Sequence, residues 1–275
     1  MGKFDGVLIF SDIDGTYLNT DDRAVPRNDE AIRYFQSEGG LFTFATGRME
    51  KNIGYAIPSL CELANFPVLL SNGASLYDIR ADRRIFSLFM EEETVLPVLD
   101  YAFSHYAGVG VRATVPGGFL YAEDHPLLAR DLRKVGEFSW KRPYTEWDHA
   151  EIYKIVFRGE EDELAAMQRD LALLFGDVFE IILSEKGILE IQKKGVSKGT
   201  AIERIRRELR EKGTPKRIVA IGDYENDLAM LRAADLAACP ENAIDSVKAI
   251  SDVTLCHCND GAIADLILYI EHHPA

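Results

Sequence analysis

A doubly wound parallel α/β sheet interrupted by an α+β insert is the fold this sequence predicts. Three observations carry it. Short apolar runs alternate with amphipathic stretches from Val7 to about residue 75. The same rhythm returns from Ser197 onward, and between the two lie hairpin-like stretches. Strand–helix alternation needs crossovers, which are right-handed and leave a parallel sheet covered on both faces. Hairpins belong to antiparallel sheets with helices gathered on one face. The expected division is therefore 1–83 with 193–275 for the parallel domain and 84–192 for the insert.

Taken in order, "GVLIFSD" (6–12) is an apolar run that ends in polar residues. "RNDEAIRYFQSEGG" (27–40) spaces Ala31, Ile32 and Phe35 along one helical face and stops at a Gly pair. "LFTFATGR" (41–48) and "FPVLLSNGA" (66–74) read as further strands of the same sheet, and the helix between them breaks near Pro58. "SLYDIRADRRIFSL" (75–88), "GVRATV-PGG-FLYAED" (110–124) and "FEIILSEKGILEIQKK" (179–194) have hairpin character, the second turning at Pro-Gly-Gly and the third at Lys-Gly. Helices are expected over 91–106 and 161–175, with a strand at "IYKIVFRG" (152–159). The chain then runs helix (197–213), strand "RIVAIGD", helix (225–235), strand "LAACP", helix (241–251), strand "VTLC" and helix (260–273).

Composition narrows the function. The formal net charge of −14 disfavours nucleic-acid and anionic-membrane partners, which need basic surface. It leaves open a small anionic substrate, since local cations can reverse the field inside one site. No stretch approaches the ~20 apolar residues of a membrane span, and "MGKFDG" has no apolar signal region. Four scattered cysteines do not make a disulfide scaffold. Cytoplasmic localisation and a monomer or weak homodimer are expected. "CHCND" (256–260) lacks the second Cys pair of a usual zinc site, and "GVGVRA" (108–113) follows a helix-like stretch where a dinucleotide motif would follow a strand.

Ligands of open parallel sheets bind outside the carboxyl ends of the strands. At those ends stand Asp12 and Asp14, Thr46-Gly47-Arg48, Ser71-Asn72-Gly73, and Gly222-Asp223 with Asn226 and Asp227; Lys198 opens the helix leading into the last of these strands. Asp, Asn, Gly and Thr singly are ordinary turn formers and caps. Jointly, the carboxylates form a cluster whose mutual repulsion a hard divalent cation offsets. Mg²⁺ takes oxygen ligands and suits a phosphate substrate.

"DIDGT" (12–16), "FTFAT" (42–46), Lys198 and "GDYEND" (222–227) resemble the four motifs of the haloacid dehalogenase-type phosphatases. An insert of this size between the second and third motifs is similar to that family's type IIB cap. "SNGA" (71–74), "GVSKGTAI" (195–202), "ENAIDSVK" (241–248) and "DGAIADLI" (260–267) resemble its Cof-type subfamily. The resemblance implies a Rossmann-like core with a cap domain and hydrolysis of a small phosphate monoester through an aspartyl phosphate. Asp12 would be the nucleophile and Asp14 the general acid/base. Mg²⁺ would be held by Asp12, the Asp14 main-chain carbonyl and Asp223, with Asp227 a further ligand or a partner of one. Thr46, the Gly47 N–H and Lys198 would hold the phosphate, and Arg48, Asn226 and Asn242 are further candidates. One departure is Glu241, where relatives show glycine.

A phosphosugar mutase uses the same core and cap, and a non-catalytic phosphate-binding module could keep the fold. The phosphatase is preferred because the Cof-type likeness is closer and the key positions hold competent residues. Sugar phosphates are the first expected substrates, with flavin mononucleotide or pyridoxal phosphate next. Tyr144, Trp147 and His149 of "RPYTEWDH" are candidate specificity contacts, with a packed loop the favoured alternative because aromatic residues more often pack than bind.

Overall fold

The computed structural model describes residues 2–214 and 216–273. The chain begins with β1 (Val7–Ser11), α1 (Pro26–Ser37), β2 (Leu41–Phe44), α2 (Glu50–Ala56), α3 (Leu60–Leu63), β3 (Val68–Leu70), β4 (Ser75–Asp78) and β5 (Arg83–Ser87). Next come α4 (Glu92–His105), β6 (Gly110–Val115), β7 (Gly118–Tyr121), α5 (Ala129–Val135), β8 (Ser139–Lys141), β9 (Lys154–Arg158), α6 (Glu161–Phe175), β10 (Phe179–Glu185) and β11 (Ile188–Lys193). It closes with α7 (Lys198–Glu211), β12 (Arg217–Ile221), α8 (Leu228–Ala233), β13 (Leu236–Pro240), α9 (Asp245–Lys248), β14 (Val253–Leu255) and α10 (Ala262–His272). Two compact units result. One runs through Gly47, resumes over Ala56–Phe86 and again from Ser197; the other holds Arg48–Tyr55 and Ser87–Val196.

The first unit is built on a five-stranded sheet of order β14-β13-β12-β1-β2, in which every neighbouring pair is parallel. Leu8, Ile9 and Phe10 of β1 have no exposed surface. This is why the run is apolar without alternation: a central parallel strand is covered on both faces. From β1 the chain steps to β2 in one direction, and from β12 to β13 in the other. Right-handed crossovers then place α1 and α8 on opposite faces. α10 packs beside α1 and α7 beside α8. Ile32 and Phe35 bury the inner face of α1 completely, contributing roughly 2–3 kcal/mol each in transfer free energy. The reversal of strand order falls between β1 and β12, and their carboxyl ends form the crevice where such sheets bind ligands.

One strand departs from expectation. β3 joins a separate three-stranded sheet of order β3-β4-β5, paired antiparallel with β4. Its link to the β2 side is the isolated parallel bridge Ala45–Leu69. Only three residues stay extended before the backbone turns left-handed at Ser71 and Asn72 (φ 49° and 56°). That turn folds β4 straight back onto β3.

The second unit carries a six-stranded sheet of order β10-β11-β9-β6-β7-β8, antiparallel except for the parallel pair β7–β8. Side-chain alternation splits its faces. Val111, Ala113, Ile155, Phe157, Leu189 and Ile191 form a core with Val98 and Leu99 of α4 and Leu164 and Met167 of α6. Arg112, Thr114, Lys154, Glu190 and Gln192 alternate to the other face, where Lys154 pairs with Glu190 at 2.5 Å and Arg112 with Asp131 at 2.8 Å. The two arginines Arg112 and Arg158 overcome the burial of Asp131 and hold its carboxyl down at about 2. Trp147 is not a surface contact. It is fully buried in the apolar core, with its Nε1–H donated to the Arg142 carbonyl at 3.1 Å, because a large ring with one donor is satisfied there. Tyr144 stacks on Phe103, and His149 is exposed.

Candidate active site

Four charged side chains, those of Asp12, Asp223, Asp227 and Lys198, meet at the carboxyl edge of the parallel sheet, and each is positioned by local structure. Asp12 directly follows β1, and its N–H still donates to the Ile221 carbonyl of β12 at 2.9 Å. The side chain therefore leaves from the rim of the sheet and is 9% exposed. α7 begins with a reciprocal cap: Ser197 Oγ accepts from the Thr200 N–H at 3.1 Å, and Thr200 Oγ1 accepts from the Ser197 N–H at 3.0 Å. This fixes where the helix starts and so where its first residue, Lys198, projects. Any Cβ at position 199 would stand 2.2 Å from the Ala229 carbonyl oxygen. Glycine there lets α7 lie against α8.

The result is a buried ion-pair centre. Lys198 has no exposed surface and donates to Asp12 Oδ1 at 2.6 Å and Asp227 Oδ1 at 2.7 Å. Asp227 Oδ2 accepts the N–H groups of Asp223 (3.0 Å) and Tyr224 (3.2 Å), so this carboxylate both caps the turn before α8 and anchors the lysine. Asp223 Oδ1 accepts from the Thr16 hydroxyl at 3.0 Å. One carboxylate oxygen from each of Asp12, Asp223 and Asp227 lies within 4.8 Å of the others.

Electrostatics describe a site short of positive charge. Burial pushes the Asp12 carboxyl well above the usual carboxylate range; Lys198 opposes this, while Asp227, Asp223 and Asp14 add to it. Burial and the Asp227 charge lift Asp223 to about 7 against the Thr16 bond and Lys198. Burial alone would lower the Lys198 ammonium's pKa, but Asp12 and Asp227 outweigh it and hold the ammonium well above its ordinary range. Three aspartates thus cluster at one lysine, and the Asp14 charge acts on two of them, Asp12 and Asp223. Every donor is an oxygen, which matches the preference of a hard divalent cation.

The remaining expected positions are distributed as follows. Thr46, 1% exposed, is fixed by its backbone: its N–H donates to the Leu69 carbonyl and its carbonyl accepts from the Asn72 N–H, both at 2.9 Å. Asn226 Nδ2 reaches Asn72 Oδ1 at a long 3.4 Å. Gly47 ends the first segment of the first unit. Arg48 falls in the second unit, where its guanidinium donates to Asn52 Oδ1 at 2.7 Å. Asp14 does not join the three-carboxylate group, although its charge acts on Asp12. Thr16 and Asn72 were not singled out as site residues by the linear reading. The signal for Thr16 lay inside "DIDGT" and that for Asn72 in its place at a strand end within "SNGA", since their partners are far along the chain.

Buried carboxylates gathered around one ammonium at the switch point of a doubly wound sheet define an enzymatic centre. The haloacid dehalogenase-like hydrolases match over residues 9–267, and the chain belongs to that family. M6_Spy0533 from Streptococcus pyogenes is 28% identical over 94% of this chain and 96% of its own length. The 5-amino-6-(5-phospho-D-ribitylamino)uracil phosphatase YwtE of Bacillus subtilis is 27% identical over 86% of this chain and 88% of its own. Among solved structures, TM0651 from Thermotoga maritima superposes with a TM-score of 0.76 at 25% identity, covering 96% of this chain and 97% of that one. The subclass IIB sugar phosphatase BT4131 gives a TM-score of 0.77 at 20% identity, over 97% and 98% of the two chains, a likeness of fold.

Proposed function

We propose that this protein is a Mg²⁺-dependent phosphatase that hydrolyses a small phosphate monoester through a phosphorylated Asp12. The observation that carries the reading is Lys198, completely buried and bonded to both Asp12 and Asp227, with Asp223 alongside. Asp227 spends both oxygens on Lys198 and two backbone N–H groups. The cation would therefore be held by Asp12 and Asp223, with the Asp14 carbonyl, while Asp227 orients Lys198. Bound Mg²⁺ supplies the positive charge that lets an anionic nucleophile approach an anionic phosphate.

The chain's own residues carry the rest. Lys198, Thr46 and the Gly47 N–H hold the phosphoryl oxygens, with Asn226 as a further contact. A carboxylate oxygen of Asp12 bonds to phosphorus as the ester P–O bond breaks, and protonated Asp14 gives its proton to the departing oxygen. Asp14, now ionised, takes a proton from water. The water oxygen bonds to phosphorus, the Asp12–phosphorus bond breaks, and inorganic phosphate leaves. Lys198 opposes the developing negative charge throughout.

Among curated relatives, YwtE, YcsE and YitU of Bacillus subtilis, at 24–27% identity, bear the name of phosphatases acting on a phosphorylated ribityl compound. Phosphate esters of sugars and sugar alcohols are accordingly the proposed substrates. Cys61, Cys239, Cys256 and Cys258 are free thiols, in keeping with a reducing, cytoplasmic setting. The test is a panel of phosphate esters, including ribityl phosphates, flavin mononucleotide and pyridoxal phosphate, assayed for phosphate release with Mg²⁺ and after chelation. Metal-dependent release of phosphate is expected. An isomeric sugar phosphate formed without phosphate release would make the protein a mutase, and hydrolysis undiminished by chelation would remove the metal from the mechanism.

A further inference from the structure

Two halves of the carboxylate centre come from segments far apart in the chain: the Asp12–Thr16 loop after β1, and Asp223 after β12. Something must set their separation, since a metal site tolerates little error in ligand spacing. The 240–244 segment after β13 touches both. Asn242 Nδ2 donates to the Gly15 carbonyl at 2.8 Å, and Asn242 Oδ1 accepts from the Cys258 N–H at 3.0 Å. Two residues on, the Ile244 N–H donates to the Asp223 carbonyl at 3.1 Å. The carboxamide orientation is fixed by its partners, because a carbonyl can only accept and an N–H can only donate.

The gripped peptide is well chosen. Gly15 adopts a left-handed backbone (φ 77°), and a Cβ there would stand 2.4 Å from Asp223 Oδ2. The next residue, Thr16, bonds the same Asp223 carboxylate. The peptide that Asn242 holds therefore lies directly against Asp223.

We infer that Asn242 is a positioning residue for the metal: it clamps the Asp12–Thr16 loop at a fixed distance from Asp223 and ties both to the Cys258 turn. This rests on the reading of Asp12 and Asp223 as cation ligands. Groups that orient metal ligands from outside the first coordination layer typically change metal affinity by about 10- to 100-fold when removed.

The measurement is Mg²⁺ binding by titration calorimetry on the full-length protein, without substrate, alongside the melting temperature in chelator. Asn242→Ala is expected to weaken Mg²⁺ binding about tenfold. Asn242→Ser, too short to span both partners yet polar enough for a half-buried position, should weaken it similarly and guards against misfolding of the alanine variant. Asn65 is the matched control. Its carboxamide also bridges two backbone groups, accepting from the Phe42 N–H at 2.7 Å and donating to the Gly40 carbonyl at 3.0 Å, but at the opposite end of β2. Asn65→Ala should lower the melting temperature and leave Mg²⁺ affinity unchanged. Unchanged Mg²⁺ affinity in both Asn242 variants would overturn the inference, as would an equal loss in Asn65→Ala. Failure of the unaltered protein to bind Mg²⁺ at all would overturn the metal reading itself, and the clamp with it.

Discussion

Lys198 shows how much one residue does here. Its fully buried ammonium pairs with two carboxylates at once, so its loss acts on both stability and reactivity. Lys198→Ala leaves Asp12 and Asp227 buried and uncompensated, which for buried pairs costs about 3–5 kcal/mol of folding free energy. Urea denaturation in chelator should show this loss, and saturating Mg²⁺ should recover part of it. In the assay, the same substitution should remove about 2–4 kcal/mol of transition-state stabilisation, the range for a lost preorganised charge partner. A loss below tenfold in kcat/KM would mean that another cation holds the phosphate. Asp12, Asp223 and Lys198 were legible from their motifs. Asn242 was a candidate without a defined role and Thr16 was not singled out, because their bonds to Gly15 and Asp223 span 227 and 207 residues. No local pattern encodes a partner that distant.

At the scale of elements, the start of α7 depends on the turn after β3. Gly73 has φ 92°, and a Cβ there would stand 2.3 Å from the Ser197 carbonyl oxygen and 3.1 Å from the Ala201 side chain. Gly73→Ala must therefore strain the turn and push on the residue immediately before Lys198. The cost should be on the order of 2–4 kcal/mol, combining left-handed strain with a backbone clash. It is measurable as a lower urea midpoint with unchanged m-value. kcat/KM should fall too, because the helix carrying Lys198 is displaced. Strands and helices with a clear period were legible in sequence: α7 and α10 fall within the stretches expected for them, and α1 starts one residue earlier, at Pro26. β3 was misplaced because three apolar residues read alike in either kind of sheet; the left-handed pair Ser71–Asn72 decided the matter. For Trp147 the sequence left a substrate contact and a packed ring open and favoured packing, since aromatic residues more often pack than bind; its ring fills the second unit's core.

For the molecule as a whole, the acidic centre links stability to pH and metal. The folded protein holds the Asp223 proton up to about pH 7, whereas in an unfolded chain the group titrates near its ordinary 3.8. Because the native state binds that proton more tightly, its stabilising contribution is complete below about pH 4 and is lost as pH rises to about 7. Metal-free protein should accordingly show this centre's destabilisation at about pH 8 but not at about pH 5. Mg²⁺ must displace the proton, so it should raise the melting temperature more at the higher pH. Asp223→Asn should reduce the difference between the two pH values, leaving the part that the raised Asp12 carboxyl contributes. An equal Mg²⁺ shift at both would show that Asp223 is not the group being neutralised. The net charge of −14 adds a general repulsion that salt screens, so these comparisons belong at one ionic strength.

The central claim is that Asp12 carries the phosphoryl group and Asp14 moves the protons. It is tested most directly in Asp14→Asn protein mixed with para-nitrophenyl phosphate and Mg²⁺, then quenched in acid and digested. That leaving group departs without a proton, so the first step should partly survive, while the second lacks the base that activates water. Mass spectrometry should then find the phosphate on the peptide containing Asp12, and none in an Asp12→Asn protein treated identically. Phosphate on any other residue, or in equal amount without Asp12, would contradict the account.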